Sequence, residues 1–287
     1  MRIQITHLLI ALPLLMHAQT EVQNASWAFS TGVAPAFSVT VPMAETKRAE
    51  AFFKARLKVI SAEVVQKKEV VATGTRLPEV SSDTLRVLVK AERARRAEET
   101  TVYLAFKLGG AFIGPDGEQR QVEGCRSWVY RTTVMLKKEL AQEALDAGTK
   151  RLKDLENAHA MLVREKDRAQ GSIEKTSDRI VKDEREKSTV EGERTAMETR
   201  VQAKQSEVNT APTEANAKEL QAMLKEQEKL KRKAEGLGRD IEGGRKKVED
   251  LQADIRKNLE EQEAKAREID AQKKVVQELT TKLAGVN

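Results

Sequence analysis

Ile241-Glu242-Gly243-Gly244-Arg245-Lys246-Lys247-Val248-Glu249-Asp250-Leu251-Gln252-Ala253-Asp254-Ile255 places apolar residues at 241, 248, 251 and 255, with Gly244 in the one remaining place. Alternating steps of three and four residues keep one stripe of a helix turned toward a partner helix along its whole length. Extended in both directions, one row reads Leu220, Gln227, Ala234, Ile241, Val248, Ile255, Gln262, Ile269, Val276, Leu283. Its companion row reads Met223, Leu230, Leu237, Gly244, Leu251, Asn258, Lys265, Gln272, Leu279. A second frame lies upstream. There the rows are Ala141, Gly148, Leu155, Leu162, Ala169, Thr176, Asp183, Val190, Met197, Lys204 and Leu145, Leu152, His159, Lys166, Ile173, Ile180, Lys187, Arg194, Val201, Val208. Of these 39 positions 25 are apolar, against 39% for the chain, so the rows are a pattern and not a reflection of composition. Such frames predict a coiled coil, weakest in the middle where Asp183, Lys187 and Arg194 fall on the seam.

Between the frames lies Asn209-Thr210-Ala211-Pro212-Thr213-Glu214-Ala215-Asn216. Pro212 forbids a continuous helix, and Thr210 or Thr213 is placed to cap a restart. The arms, about 75 and 70 residues, would each run on the order of 100 Å. Near-equal arms about a turn predict an antiparallel hairpin over 132–287 with its turn near 209–216. Folding at Thr210/Ala211 sets Leu145 by Val276, Leu152 by Ile269, His159 by Gln262, Ile173 by Val248, Ile180 by Ile241 and Val201 by Leu220. A one-heptad shift (Leu145 by Leu283, Ile173 by Ile255) matches almost as well. Gly236, Gly238, Gly243 and Gly244 each cost a helix roughly 1 kcal/mol against alanine. They mark a bend, a frayed stretch, or a place where another chain comes close.

Upstream of the rod the composition changes. All ten aromatics fall between Trp27 and Tyr130, and the 157 residues from 131 onward contain none. Since aromatics dominate core burial, residues 19–131 are the segment able to build a globular core. Phe37-Ser38-Val39-Thr40-Val41 alternates as a strand and stops at Pro42. Ala44 to Ile60 carries Ala49, Phe52, Phe53, Leu57 and Ile60 on one helical face. Three strand-like runs follow: Glu63 to Ala72, Thr84 to Ala91 and Thr100 to Lys107. In the second, Leu85, Val87 and Val89 alternate with Thr84, Arg86, Leu88 and Lys90, which predicts one wet face. The expected head is thus α+β: a βαβββ order, an antiparallel sheet with one packed helix. Leu108 to Gly117 is glycine-rich but lacks both GxGxxG and GxxxxGK[ST] spacing, so it reads as a bulge and turn. Trp128 and Tyr130 are expected to anchor the long helix on the head.

The N-terminus has Arg2, an apolar run with Leu8 to Leu15 at its centre, and Ala18 before Gln19. That matches a secretory signal peptide over 1–18, and the run is too short to span a bilayer. No later segment is apolar enough to cross one, so no transmembrane segment is expected after signal removal. The expected location is exported, periplasmic or secreted and envelope-associated. Cys125 is the sole cysteine, which leaves no intramolecular disulfide. It reads either as a small buried core residue or as a reactive or intermolecular thiol beside Arg126.

The net charge of +6 divides unevenly. Residues 19–131 hold 17 Lys/Arg against 13 Asp/Glu, 132–287 hold 33 against 32, and Arg2 supplies the last unit. Arg93-Ala94-Arg95-Arg96 is the basic cluster of the head, and a solvated turn accounts for it. No nucleic-acid partner is expected from so sparse a basic stripe. His7 and His17 lie in the signal, leaving His159 inside the rod. One His and one Cys on different parts of the chain make neither a thiol triad nor a metal cluster. No catalytic, cofactor-binding or metal-ligating residue is assigned, no cofactor is expected, and the chain reads as a non-enzyme.

The closing run Ile255-Arg256-Lys257-Asn258-Leu259-Glu260-Glu261-Gln262-Glu263-Ala264-Lys265 through Gln272-Lys273-Lys274-Val275-Val276, with Phe106-Lys107-Leu108-Gly109-Gly110-Ala111-Phe112, resembles a group of uncharacterised exported proteins of Gram-negative bacteria. These carry a small α+β head followed by a charged coiled coil. The resemblance implies an envelope location and brings no activity and no site residues. Two roles fit. The first is a non-enzymatic envelope scaffold that meets other envelope proteins, or itself, through the coiled coil. The second is a periplasmic holdase for unfolded polypeptide clients, similar in general plan to Skp-type chaperones but with body and arm in the opposite order. An efflux-type adaptor hairpin fits poorly because nothing β-rich follows the coil.

Overall fold

The computed structural model describes residues 20–94 and 97–286, so the signal-peptide reading of 1–18 and residues Arg95 and Arg96 lie outside the described residues. Phe37, Val39 and Val41 alternate with Ser38 and Thr40 along β2 (Gly32–Pro42), and all three apolar side chains are buried. Around this strand the head builds an antiparallel sheet from β1 (Gln23–Phe29), β2, β3 (Glu63–Gln66), β4 (Val70–Thr75), β5 (Leu85–Glu92), β6 (Glu99–Leu108) and β7 (Ala111–Phe112). The strand order is β1-β2-β6-β5-β4-β3, with β7 beside the end of β6. Helix α1 (Thr46–Ile60) lies between β2 and β3 in sequence. Its Ala49, Phe53 and Leu57 join Val87, Val89, Leu104 and Phe106 in one core.

The expected βαβββ order undercounts the strands. Glu63 to Ala72 is not one strand but the hairpin β3–β4, which reverses at Lys67-Lys68-Glu69. Strands β1 and β7 were not anticipated. In β1 the spacer residues are Ala and Ser, so Trp27 and Phe29 alone carry the alternation.

The face of β5 expected to be wet is covered at its centre. Only Phe37–Pro42 of β2 pair with β6, whereas Gly32–Ser38 pair with β1, so Gly32–Ala36 reach beyond β6. The hairpin so formed packs Phe29, Ala34 and Ala36 onto Leu88 and Ala105, a second small core with Trp27, Val71, Tyr103 and Phe112 at its margin. Its tip is held by Glu69, which accepts hydrogen bonds from the backbone N–H of Ser30 (3.1 Å) and from the Ser30 hydroxyl. Arg86 stays exposed and Lys90 half-exposed on the same face.

Two glycines have conformations that the fold requires. Gly109 opens the two-residue turn between β6 and β7 with φ 57°, as a tight hairpin needs, so the Leu-Gly-Gly stretch forms a hairpin before the chain leaves the sheet. Gly74 sits inside β4 at a register shift, with φ 64°. A Cβ there would lie 2.8 Å from Cβ of Ala62.

The long helix begins earlier than expected. α2 runs Gln119–Thr210, so its first turns belong to the head and not to the rod. Val122, Cys125, Trp128, Val129 and Leu136 are part of the main core. Trp128 lies edge-on to Phe106 (5.9 Å between ring centroids) and 6.3 Å from Phe53. Tyr130, the other expected anchor, is exposed. Gly124 lets the helix approach the Leu77–Ser81 turn closely, because a Cβ would sit 2.5 Å from the Glu79 carbonyl oxygen.

The chain divides into two compact units: residues up to Lys150 with those from Lys274 on, and Arg151–Lys273. In the second, α2 ends at Thr210 and α3 (Glu214–Ala284) begins after three intervening residues. Thr213 caps α3: its hydroxyl accepts from the Asn216 N–H (3.2 Å) and its carbonyl from the Ala217 N–H (3.1 Å). Thr210 instead donates back to the Ser206 carbonyl. Helix α3 is uninterrupted through Gly236, Gly238, Gly243 and Gly244, so no fray occurs there. No helix among the described residues is long and apolar enough to cross a membrane.

Candidate functional site

The long helices contribute two kinds of surface, a shaded stripe and a charged exterior. All 39 row positions are buried or half-buried, with Val190, Leu220, Ala234 and Ile241 among the fully buried. Met161, Val181, Leu224, Leu259 and Val275 lie off the rows and are exposed. The heptad position, not the hydrophobicity of the residue, therefore decides which side chain is sheltered. His159 sits half-buried on its row.

Named contacts connect α2 and α3 within the second unit. Lys204 Nζ lies 2.6 Å from Glu219, Lys233 Nζ 2.9 Å from Glu186, and Arg245 2.6 Å from Glu184. Residue numbers fall on α2 as they rise on α3. A Cβ added to Gly244 would meet Ile180 Cγ1 at 2.8 Å and Thr176 Cγ2 at 3.8 Å, and one on Gly238 would meet Lys187 Nζ at 3.7 Å. Of the alternatives for the glycine cluster, close approach describes Gly244; Gly236 and Gly243 face open space.

Lys204 is the most connected of the polar row residues. Its side chain is only 12% exposed, and its ammonium also reaches Glu207 (3.0 Å) and Asn216 Oδ1 (3.2 Å). The Asn216 amide donates to the Ala211 carbonyl (3.0 Å), so one lysine ties the end of α2 and the turn to the start of α3. Hydrogen bonds to Glu219 and then Glu207 raise its pKa. The Glu186–Lys233 pair behaves likewise: its hydrogen bond lowers the carboxyl and raises the ammonium.

In the head, Glu50 of α1 is a buried carboxylate that sequence reasoning missed. It accepts from Gln66 Nε2 (3.1 Å), Lys90 Nζ (3.1 Å) and the Ala91 N–H (3.1 Å). Its donors come from β3 and β5, so no local pattern announces it, and full satisfaction marks it as a structural charge. Burial, reinforced by the nearby charge of Glu79, pushes the Cys125 thiol up to about 12. A thiol so protonated is a poor nucleophile, which favours the core-residue alternative over the reactive one. An open depression of about 640 Å³ adjoins the start of α2, with Glu79, Glu118, Arg120 and Glu123 on its walls and no apolar side chain in its lining. Among the described residues no group of three His, Cys, Asp or Glu side chains is placed to hold a metal ion.

Compared with protein-family models and with curated proteins, the sequence matches neither a family nor an individual relative.

Proposed function

We propose that the chain is a non-enzymatic structural and interaction protein of an exported compartment. In this reading α2 and α3 form an antiparallel coiled-coil hairpin that joins or spaces envelope partners, and the α+β head is the docking module. The shaded heptad rows carry the reading: each helix offers one continuous stripe and leaves its charged faces in water. The contacts of Gly244 favour the fold-back at Thr210/Ala211. In that register Gly244 falls opposite Thr176, one turn from Ile180, whereas the one-heptad shift sets it opposite Asp183. The signal-like N-terminus supplies the compartment.

The hairpin is tested by placing cysteines at Leu152 and Ile269 in a Cys125→Ser background. An intramolecular disulfide in the monomer is the expected product, and purely intermolecular crosslinks would overturn the fold-back. The role is tested by in-cell crosslinking from the head and rod. A scaffold captures a small, reproducible set of folded envelope partners and leaves the aggregation of unfolded outer-membrane polypeptides unchanged. Capture of many unfolded chains, with suppression of their aggregation by the purified protein, would replace the scaffold by a holdase.

A further inference from the structure

The basic excess of the head, dispersed in sequence, is gathered in space on one helix face. Residues 46–68 contain seven Lys/Arg and two Asp/Glu, a net +5 that exceeds the +4 of the whole 19–131 segment. One of the two acids, Glu50, is buried beneath Lys90 and Gln66. The solvent side of α1 therefore presents Lys47, Ala51, Lys54, Ala55, Lys58 and Val59 with no carboxylate among them. Arg56 lies beside them, its guanidinium 5.1 Å from the Phe52 ring centroid. The β3–β4 hairpin adds two more cations. Lys54 Nζ contacts Gln66 Oε1 (3.0 Å), and the Lys68 carbonyl accepts from Lys90 Nζ (3.0 Å), the same ammonium that pairs with Glu50. Lys67 and Lys68 are thus held at the flank of α1, both exposed. Arg48 is already occupied by Glu139 and Glu143. Glu45 and Glu63 are the exposed acids at the margins.

We infer that this face of α1, with the β3–β4 tip, is a docking surface for an anionic lipid bilayer. Charge complementarity selects an anionic partner, since lysines near a bilayer of acidic lipids are attracted over roughly a Debye length. The apolar members select lipid over other polyanions. Val59 is 82% exposed among the lysines, and Ala51 and Ala55 leave a shallow surface between the ammonium groups. A helix face of lysines around an exposed aliphatic is the composition of an interfacial contact, with stems along the headgroups and the apolar tip beyond them. A nucleic-acid surface would want exposed aromatics for stacking, and the aromatics of α1, Phe52 and Phe53, are buried.

Vesicle co-sedimentation tests this with the chain from Gln19 onward. Binding is expected to vesicles containing phosphatidylglycerol, not to phosphatidylcholine alone, and to fall steeply between 0.05 and 0.5 M salt (about 14 and 4 Å of screening length). Each lysine near an acidic surface is worth roughly fivefold in partitioning, so Lys47→Gln/Lys58→Gln should weaken binding about 25-fold. Both side chains are free of the core, and an unchanged melting curve verifies that the variant folds. Val59→Ser should weaken binding without altering the salt slope. A rod control, Lys229→Gln/Lys257→Gln, should bind as the parent does. Equal binding to both lipids, or undiminished binding by the Lys47/Lys58 variant, overturns the inference. So does binding to duplex DNA or polyglutamate with none to the acidic vesicles.

Discussion

Gly243 and Gly244 are neighbours in sequence with opposite surroundings, and the contrast gives a direct test of how α3 meets α2. An alanine at either position should gain roughly 1 kcal/mol of helix propensity over glycine. At Gly243 nothing lies within 4 Å of the new Cβ, so the gain is expected in full. At Gly244 the Cβ would stand 2.8 Å from Ile180 Cγ1 and 3.2 Å from its Cδ1. Relieving that overlap means moving a β-branched side chain or separating the helices, at about 1 to 3 kcal/mol. Gly243→Ala should therefore stabilise by about 1 kcal/mol, and Gly244→Ala should be neutral or destabilising by up to about 2 kcal/mol. Urea unfolding followed by circular dichroism at 222 nm measures both, alone and in an Ile180→Ala background. With Ile180 removed the overlap vanishes, and the alanine at 244 should recover its propensity gain. If Gly244→Ala stabilises as much as Gly243→Ala in the parent, Ile180 does not lie against Gly244 and the register reasoning fails.

The head offers a parallel case in Gly124→Ala, whose Cβ would meet the Glu79 carbonyl at 2.5 Å. Backbone cannot step aside as a side chain can, so a net loss of about 2 kcal/mol is expected in urea unfolding, and a gain would refute the close approach. Cys125 should resist alkylation at pH 8 in the native protein and label fully in denaturant. Because burial raises this thiol from its ordinary 9.0 to about 12, the native state is favoured below pH 9. That contribution, on the order of 4 kcal/mol, should be lost as pH climbs from 9 toward 12, and a flat stability profile there would contradict it. Lys204 has a raised pKa, so its pairing should be complete below the ordinary lysine range and lost as pH rises through the folded value. Lys204→Met should speed hydrogen exchange around 205–219 and leave 160–175 unchanged; uniform acceleration would show that Lys204 is not a local tie.

The long helices were legible because their signal repeats. Each heptad restates the same face, and scattered failures such as Lys166 or Gln262 do not shift the frame. The head was legible only where one face is apolar and the other polar, as in β2 and β5. Strand β1 escaped because Ala25, Ser26 and Ala28 carry little contrast, and its purpose is to cover a second face that a single strand's alternation cannot reveal. The start of α2 escaped because the role of Gly124 and Cys125, close approach to the Leu77–Ser81 turn and burial, depends on a segment distant in sequence. The cationic face of α1 was hidden for a related reason. Lys47, Lys54, Lys58, Lys67 and Lys68 never form a run, and only the burial of Glu50 removes the intervening negative charge.

Two irregularities of the long helices, read separately, look like defects: charged residues on the middle of one stripe and glycines on or beside the middle of the other. Their contacts make them one feature. A long charged stem on a seam needs lateral room to carry its head to water, and a leucine across from it would deny that room. Lys187 has that room, since its Nζ and Cε lie 3.7 and 3.9 Å from where a Cβ on Gly238 would be. The lysine reaches Glu191, and Asp183, 14% exposed, reaches Arg179, so each charge is paired along its own helix. Ile180, three residues before Asp183, takes the space that Gly244 leaves. Each glycine gives up roughly 1 kcal/mol of propensity, and Gly244 in return lets Ile180 sit flush against α3. Filling only one side should then help less than its propensity promises. Where the heptads look weakest, the fit of Ile180 against Gly244 still specifies how the two helices meet.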